Sequence, residues 1–270
     1  MPHRIPRIMT GKILRNERHG VFHRMEVSVP ERVQFVPGQF AMVSGWSGND
    51  PLLPRPFAIF RSDGDQTAGT VEFVYKVVGR GTILLSGLHQ GDPLSITLPL
   101  GNGFRLDDAG RIWWLVGGGV GLSTVFPAAA ALAGEDFHMF LGARSHDQHP
   151  PREWIPGWDV PGRISLCTDD GMLGFNGTVG AAVRERLKVL SPSDKERLTI
   201  LVCGPWGMLK DLAETALSVG IPTQVSLENH MACGFGVCWG CAKEIRVSAG
   251  TEYLRVCKEG PVFDAGDVVW

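Results

Sequence analysis

Polarity alternates with period two along Val21-Phe22-His23-Arg24-Met25-Glu26-Val27, and again along part of Thr70–Val77. That spacing turns the apolar side chains to one face of an extended strand. Turn signals recur between such stretches, at Pro37-Gly38, Ser62-Asp63-Gly64 and Gly91-Asp92-Pro93. Short strands punctuated in this way predict a small antiparallel β-barrel over residues 1–106. After Asp107-Asp108-Ala109-Gly110 the pattern changes. Apolar runs at 112–116, 137–141, 164–167, 198–202 and 225–227 read as strands, and helical spacing follows Gly121 and covers 178–187 and 206–217. Strands alternating with helices predict a mostly parallel sheet with helices on both faces, here over residues 107–227. Residues 228–270 form a third segment, too short for a useful core and dependent on a bound group to hold it together. The fold class is therefore multidomain: an N-terminal antiparallel barrel, a central α/β nucleotide-binding domain and a small C-terminal segment.

Charge and composition exclude more than they select. A net charge of −2 with no basic tract gives no case for nucleic acid. Met1-Pro2-His3-Arg4-Ile5-Pro6 has no apolar signal-peptide core. Ile112–Gly134 carries no charge, yet it holds five glycines and Pro127, so a buried strand, turn and helix explain it better than a membrane span.

The chemistry concentrates near the C-terminus. Cys233, Cys238, Cys241 and Cys257 follow the pattern C-x4-C-x2-C, then C after fifteen residues. This compact triplet with a distant fourth ligand matches plant-type [2Fe–2S] ligation. Structural zinc, the competing reading, usually takes two short paired spacings. His230 lies nearby, but a Rieske centre needs two histidines in place of two cysteines, and all four cysteines are present. Cys167 and Cys203 sit in apolar runs where buried free thiols are common. A thiolate centre with no export signal points to a reducing cytoplasm.

Other motifs are weaker alone. Gly117-Gly118-Gly119-Val120-Gly121 falls between a strand and a helix, where backbone can approach a pyrophosphate, although a tight βα turn needs glycine too. Cys203-Gly204-Pro205 ends a later strand of the same sheet and reads equally as a plain strand-to-helix turn. Arg55, in Leu53-Pro54-Arg55-Pro56-Phe57-Ala58-Ile59, could grip a diphosphate, with Phe57 against a flat ring, or could be a surface arginine at a proline turn. Gly79-Arg80-Gly81-Thr82 offers a second backbone site for phosphate, or a turn. There is no G-x-S-x-G and no H-E-x-x-H, and Asp169-Asp170-Gly171 has nothing nearby to make it catalytic.

Taken in order, these motifs resemble the ferredoxin–NADP reductase superfamily, in which a flavin-binding barrel precedes a nicotinamide-binding α/β domain. Arg55-Pro56-Phe57-Ala58-Ile59, preceded by Pro37-Gly38-Gln39-Phe40, is similar to its flavin motif. The glycine run is similar to its nicotinamide loop, and Cys203-Gly204-Pro205 to the turn beside the nicotinamide. The cysteine segment with Val256-Cys257-Lys258-Glu259-Gly260-Pro261-Val262-Phe263 narrows the resemblance to the electron-transfer subunits of class 1B dihydroorotate dehydrogenase. Gly91-Asp92 and Pro99-Leu100-Gly101-Asn102-Gly103-Phe104 also fit. The resemblance implies FAD held by Arg55, Pro56, Phe57 and Ala58, by Val74, Tyr75 and Lys76, and by Gly81 and Thr82. It implies a [2Fe–2S] cluster on Cys233, Cys238, Cys241 and Cys257. It implies NAD as substrate at Gly117, Gly118, Gly119 and Gly121 and at Cys203, Gly204 and Pro205. Two departures stand out. Ala58 replaces the usual serine, and Leu122-Ser123-Thr124 follows Gly121 where relatives often have proline.

The implied role is an oxidoreductase subunit of pyrimidine biosynthesis. Dihydroorotate oxidation would lie in a separate FMN-containing catalytic subunit, with two copies of each chain in a heterotetramer. An FMN barrel needs about 250 residues, for which this chain has no room. Arg144 suits a 2′-phosphate and Asp147 a ribose hydroxyl, and the resemblance favours NAD. Phe235 and Trp239 on the cysteine loop would either dock on the partner or shield the cluster from water. Two rivals remain: a flavin and iron–sulfur reductase subunit of another complex, of sulfhydrogenase or transhydrogenase type, and a non-catalytic zinc-stabilised binding protein.

Overall fold

The computed structural model describes residues 6–46, 48, 50–108 and 110–270. Met1–Ile5, where the absence of a leader core was read, and Ala109 lie outside the described residues. The chain divides into two compact units. One comprises residues up to Gly103 with Asn229–Lys243 and Leu254–Pro261, and the other Phe104–Glu228 with Glu244–Tyr253 and Val262–Trp270.

In the first unit, β1 (Arg7–His19), β2 (Phe22–Val29), β3 (Phe40–Ser44), β4 (Arg55–Ala58), β5 (Arg61–Gly64), β6 (Gly69–Lys76) and β7 (Pro93–Leu100) form one antiparallel sheet. Its order is β4-β3-β7-β1-β2-β6-β5. The period-two segment at Phe22–Val29 pairs with β6 in continuous register, Phe22 opposite Lys76 through Val29 opposite Gly69. The sheet curls into a half-barrel. Phe57 of β4 meets Phe73 and Tyr75 of β6, with ring centroids 6.2 and 5.2 Å apart, although four strands separate β4 from β6. The inward positions, among them Met25, Val27, Val43, Val71, Phe73 and Ile96, fill the core. A short helix, α1 (Arg80–Ser86), follows β6.

In the second unit, β8 (Ile112–Gly118), β9 (Asp136–Ala143), β10 (Ile164–Thr168), β11 (Phe175–Asn176), β12 (Leu198–Cys203) and β13 (Thr223–Ser226) run parallel in the order β11-β10-β9-β8-β12-β13. The helices are α2 (Leu122–Ala131), α3 (Val179–Lys188), α4 (Pro192–Arg197) and α5 (Trp206–Ser218). The path β8–α2–β9 runs one way along the sheet and β12–α5–β13 the other. Right-handed crossovers therefore set α2 and α5 on opposite faces. The direction reverses between β8 and β12, the crevice where open α/β sheets take ligands.

The segment after residue 227, expected as a unit of its own, is shared out. A hairpin of β14 (Ala242–Val247) and β15 (Gly250–Arg255) contributes to both units, and β16 (Val262–Asp264) adds to the parallel sheet, antiparallel to β13. Each piece borrows a core because the segment is too short to build one.

Candidate functional site

Backbone N–H groups point at the cysteine sulfurs. Val237 and Cys238 donate to Cys233 Sγ at 3.4 and 3.5 Å, Gly240 to Cys238 Sγ at 3.5 Å, and Cys257 to Cys241 Sγ at 3.4 Å. Burial pushes the Cys233 thiol up, but N–H groups of Cys238, Phe235 and Val237, with the Cys238 side chain, outweigh it and bring it down to about 6. Cys257 goes the other way, to about 12, through burial and the neighbouring Cys241. Cys241 and Cys257 are buried, Cys233 half-buried and Cys238 exposed.

The Cys233 and Cys238 side chains interact, and Cys257 feels Cys241 first and Cys233 after it, so the four sulfurs lie within reach of one another. A zinc site draws four ligands to one centre. A [2Fe–2S] group has two tetrahedral irons bridged by sulfide, each left with two terminal positions. The donor set fits the two-iron group.

The loop's seat is fixed by close approach. Gly234 has φ +79, and a Cβ there would run into the Met42 side chain of β3. Met42 is the register partner of Pro56, and cross-strand partners share a face of the sheet. Asn102 reinforces this seat, its N–H donating to the Gly260 carbonyl at 2.6 Å and its amide to that of Glu259 at 2.8 Å.

At the neighbouring edge, Arg55 opens β4 and lies across Gly81 at the start of α1, its Nε 2.5 Å from where a Cβ would stand. Its guanidinium also sits 5.6 Å over the Trp46 ring and donates to the Leu53 carbonyl at 2.5 Å. Thr82 turns inward, accepting from the N–H groups of Val78 and Gly79 at 2.9 and 3.1 Å. Pro56, Phe57 and Ala58 are half-buried, as is Lys76, whose Nζ lies 4.7 Å over the Phe22 ring. Val74 and Tyr75 are buried, so their backbone rather than their side chains faces any ligand. The Tyr75 hydroxyl donates to Asn16 Oδ1 at 3.0 Å. The structure thus brings Arg55, Phe57, Tyr75, Gly81 and Thr82 to one end of the half-barrel.

In the second unit, Gly117 pairs in register with Cys203 at the carboxyl ends of β8 and β12. A Cβ at Gly121 would strike the Cys203 carbonyl, and one at Gly118 would stand 2.5 Å from Met208 Sδ and 3.2 Å from Pro205. Gly118 and Gly121 and the Cys203-Gly204-Pro205 turn therefore interlock at the point where strand order reverses, with Gly119 between them at φ +56. Neither α2 nor α5 has a side-chain N-cap, and neither has an acid in its first turn, so both leave N–H donors for a ligand. Cys203 is pushed up to about 12 by burial and by Glu228, against hydrogen bonds with Thr124 and Ser226. Glu228 keeps a solvent-open side chain, yet the packed groups around it raise its carboxyl. Asp147 accepts from Ser145 Oγ at 2.5 Å, and Asp170 caps a turn through the Met172 N–H at 3.0 Å.

Trp46, Met42, Asn16, Thr124, Ser226 and Glu228 were not read from the sequence. Most lie far along the chain from the residue they contact, and none carries local spacing that marks it as part of a site.

The iron-sulfur cluster binding domain of dihydroorotate dehydrogenase B matches residues 228–269. The dihydroorotate dehydrogenase B (NAD(+)) electron transfer subunit of Caldanaerobacter subterraneus subsp. tengcongensis is 34% identical over 236 residues, covering 87% of each chain. That of Desulforamulus reducens is 33% identical over 250 residues, 91% of this chain and 92% of the relative. A solved NADH-dependent reduced ferredoxin–NADP oxidoreductase, studied for flavin-based electron bifurcation, superposes with a TM-score of 0.80. It is 28% identical, and the match covers 96% of this chain and 90% of that one.

Proposed function

The chain belongs to the family of dihydroorotate dehydrogenase B (NAD(+)) electron transfer subunits, and from that membership we propose that it passes electrons from a catalytic subunit, through a [2Fe–2S] centre and FAD, to NAD+. The observation that carries the reading is the seat of the cysteine loop. Gly234 rests on Met42, the partner of Pro56, so the four sulfurs belong to the same compact unit as the flavin motif and lie one strand from it.

A bound FAD would supply the link between one-electron chemistry at an iron–sulfur centre and hydride chemistry at a nicotinamide. The protein supplies binding and alignment. Arg55 presents a planar fork to the diphosphate, and Pro56, Phe57 and Ala58 form the edge beside the ring with the backbone of Val74, Tyr75 and Lys76. Gly81 and Thr82 shape the start of α1. The hydroxyl that serine would give at position 58 is absent, leaving the backbone N–H as donor there. Cys233, Cys238, Cys241 and Cys257 act as thiolates, steadied by the N–H groups aimed at them. Gly117, Gly118, Gly119 and Gly121 bring backbone close to the dinucleotide phosphates, and Cys203, Gly204 and Pro205 border its nicotinamide.

The partner is a separate subunit that carries FMN and oxidises dihydroorotate, in an assembly of two copies of each. No helix among the described residues is long and apolar enough to cross a membrane. The dependence on free thiolates supports a cytoplasmic location.

Anaerobic purification tests the reading. Iron, acid-labile sulfide and flavin are expected together, with an electron resonance signal after reduction. Zinc without labile sulfide overturns it. The superposition on the bifurcating oxidoreductase over 96% of the chain favours one alternative, a reductase subunit of another complex. Co-purification with a protein that does not turn over dihydroorotate would establish that instead.

A further inference from the structure

Arg255 ends β15 two residues before Cys257, and its side chain is only 17% exposed. Its Nε donates to Glu259 Oε2 at 3.0 Å, and Nη2 completes the fork on Oε1. Glu259 also accepts the backbone N–H of Arg255 at 2.8 Å, so one carboxylate holds both ends of the residue. The other arm, Nη1, donates to the Gly236 carbonyl at 2.7 Å, inside the cysteine loop. The guanidinium carbon lies 4.5 Å from the centroid of the Trp239 ring.

This grip falls on the part of the loop that most needs it. Trp239 has φ 59 and is the only non-glycine residue with positive φ among those described. A left-handed conformation is unfavourable for a side-chain-bearing residue. A cation over an indole face offsets part of that cost. Charge adds a second effect. Arg255 stands two residues before Cys257, the Val256 N–H between them donates to the Cys241 carbonyl at 3.2 Å, and the guanidinium is held on Gly236 and Trp239 of the loop. The positive group is therefore anchored beside that sulfur pair.

We propose that Arg255, locked by Glu259, is a positioning residue of the sulfur cage: it clamps the Cys233–Cys241 loop and sets a fixed positive charge beside the Cys241–Cys257 pair, making the iron–sulfur centre easier to reduce. The inference rests on the reading of these cysteines as ligands of a two-iron group. Reduction adds one electron and breaks no bond. It adds negative charge to a centre already surrounded by thiolates, so a nearby cation stabilises the reduced form more than the oxidised one. A guanidinium stays protonated at any working pH, which makes the effect constant.

The test is a potentiometric titration of the purified full chain with dithionite, followed by electron resonance, with iron and labile sulfide assayed on the same samples. Three variants separate charge from grip. Arg255→Gln is expected to move the reduced-to-oxidised ratio about tenfold toward oxidised at fixed poise, which is about 59 mV for a one-electron couple. Arg255→Lys is expected to keep a midpoint near wild type while losing iron faster, because the charge remains and the fork does not. Glu259→Gln is expected to raise the midpoint, since the cation loses its counter-charge. A purely structural clamp lowers iron content in all three and leaves the midpoint of the remaining centres unchanged, which overturns the proposal. If Arg255→Gln holds no iron, Glu259→Gln decides alone, and an unmoved midpoint there is equally fatal. Wild-type protein without iron and sulfide refutes the underlying reading instead.

Discussion

Cys238 is the most open of the four sulfurs, and its removal tests the proposed division of labour between the sulfur centre and the flavin site. Cys238→Ser replaces a soft thiolate with a poorly matched hydroxyl. The variant is expected to lose labile sulfide and the electron resonance signal while keeping FAD and NADH-to-dye reduction, because hydride reaches the flavin without passing the sulfurs. Loss of dye reduction with FAD still bound would reverse the assigned electron order. A second single-residue effect belongs to folding. Burial, with a contribution from Arg186, lowers His138 to about 4, against an ordinary value of 6.5. Its Nε2 pairs with Ser165 Oγ at 2.8 Å. Between those two pH values the unfolded chain binds a proton that the folded chain refuses. The associated stability is therefore complete above pH 6.5 and drains away as pH falls toward 4. The loss is about 1 kcal/mol per pH unit after allowance for partial solvent exposure. Thermal melts of wild type and His138→Gln between pH 7 and pH 4.5 check it: the variant's midpoint should fall less steeply, and parallel curves would remove His138 as the cause.

In the second unit β8, β9, β10 and β12 were readable because each holds a short apolar run, and α2, α3 and α5 because each follows a glycine or a cap; the two-residue β11 and the short polar α4 carry no such run and were not read. Thr178, for example, accepts the Ala181 N–H at the start of α3. The glycine run told where β8 turns into α2, but not why Gly121 has no substitute. That reason lies 82 positions later, in the Cys203 carbonyl that fills the place of a Cβ. A contact between two turns leaves no periodic trace in either. Gly121→Ala is therefore expected to push these turns apart and raise the KM for NADH at least tenfold, with iron, sulfide and FAD content unchanged. Steady-state dye reduction with flavin quantitation measures both. An unaltered KM would mean the crevice at the strand reversal does not receive the dinucleotide.

At the scale of the molecule, the boundary near residue 228 was readable from the sudden density of cysteine and glycine, while the division of the tail between two units was not. Its cause is a set of long-range matches, Gly234 on Met42 in one unit and β16 on β13 in the other, that no local pattern announces. The arrangement leaves one surface unexplained by folding. Phe235, Val237 and Trp239 are 51%, 70% and 53% exposed, and Val237 and Trp239 flank the open Cys238 along the chain. Both aromatics keep about half of their surface open, which is apolar area a partner can cover. An apolar rim beside the most accessible sulfur is where a catalytic subunit would dock. Val237 makes the sharper probe, because Trp239 also takes part in the Arg255 clamp. Val237→Glu puts a charge in that rim and touches none of the cofactor-holding side chains. The variant is expected to keep its iron, sulfide, FAD and NADH-to-dye rate, yet to lose most dihydroorotate-dependent NAD+ reduction when mixed with the catalytic subunit, with weaker co-elution on gel filtration. Full coupled activity would move the docking face away from the cysteine loop.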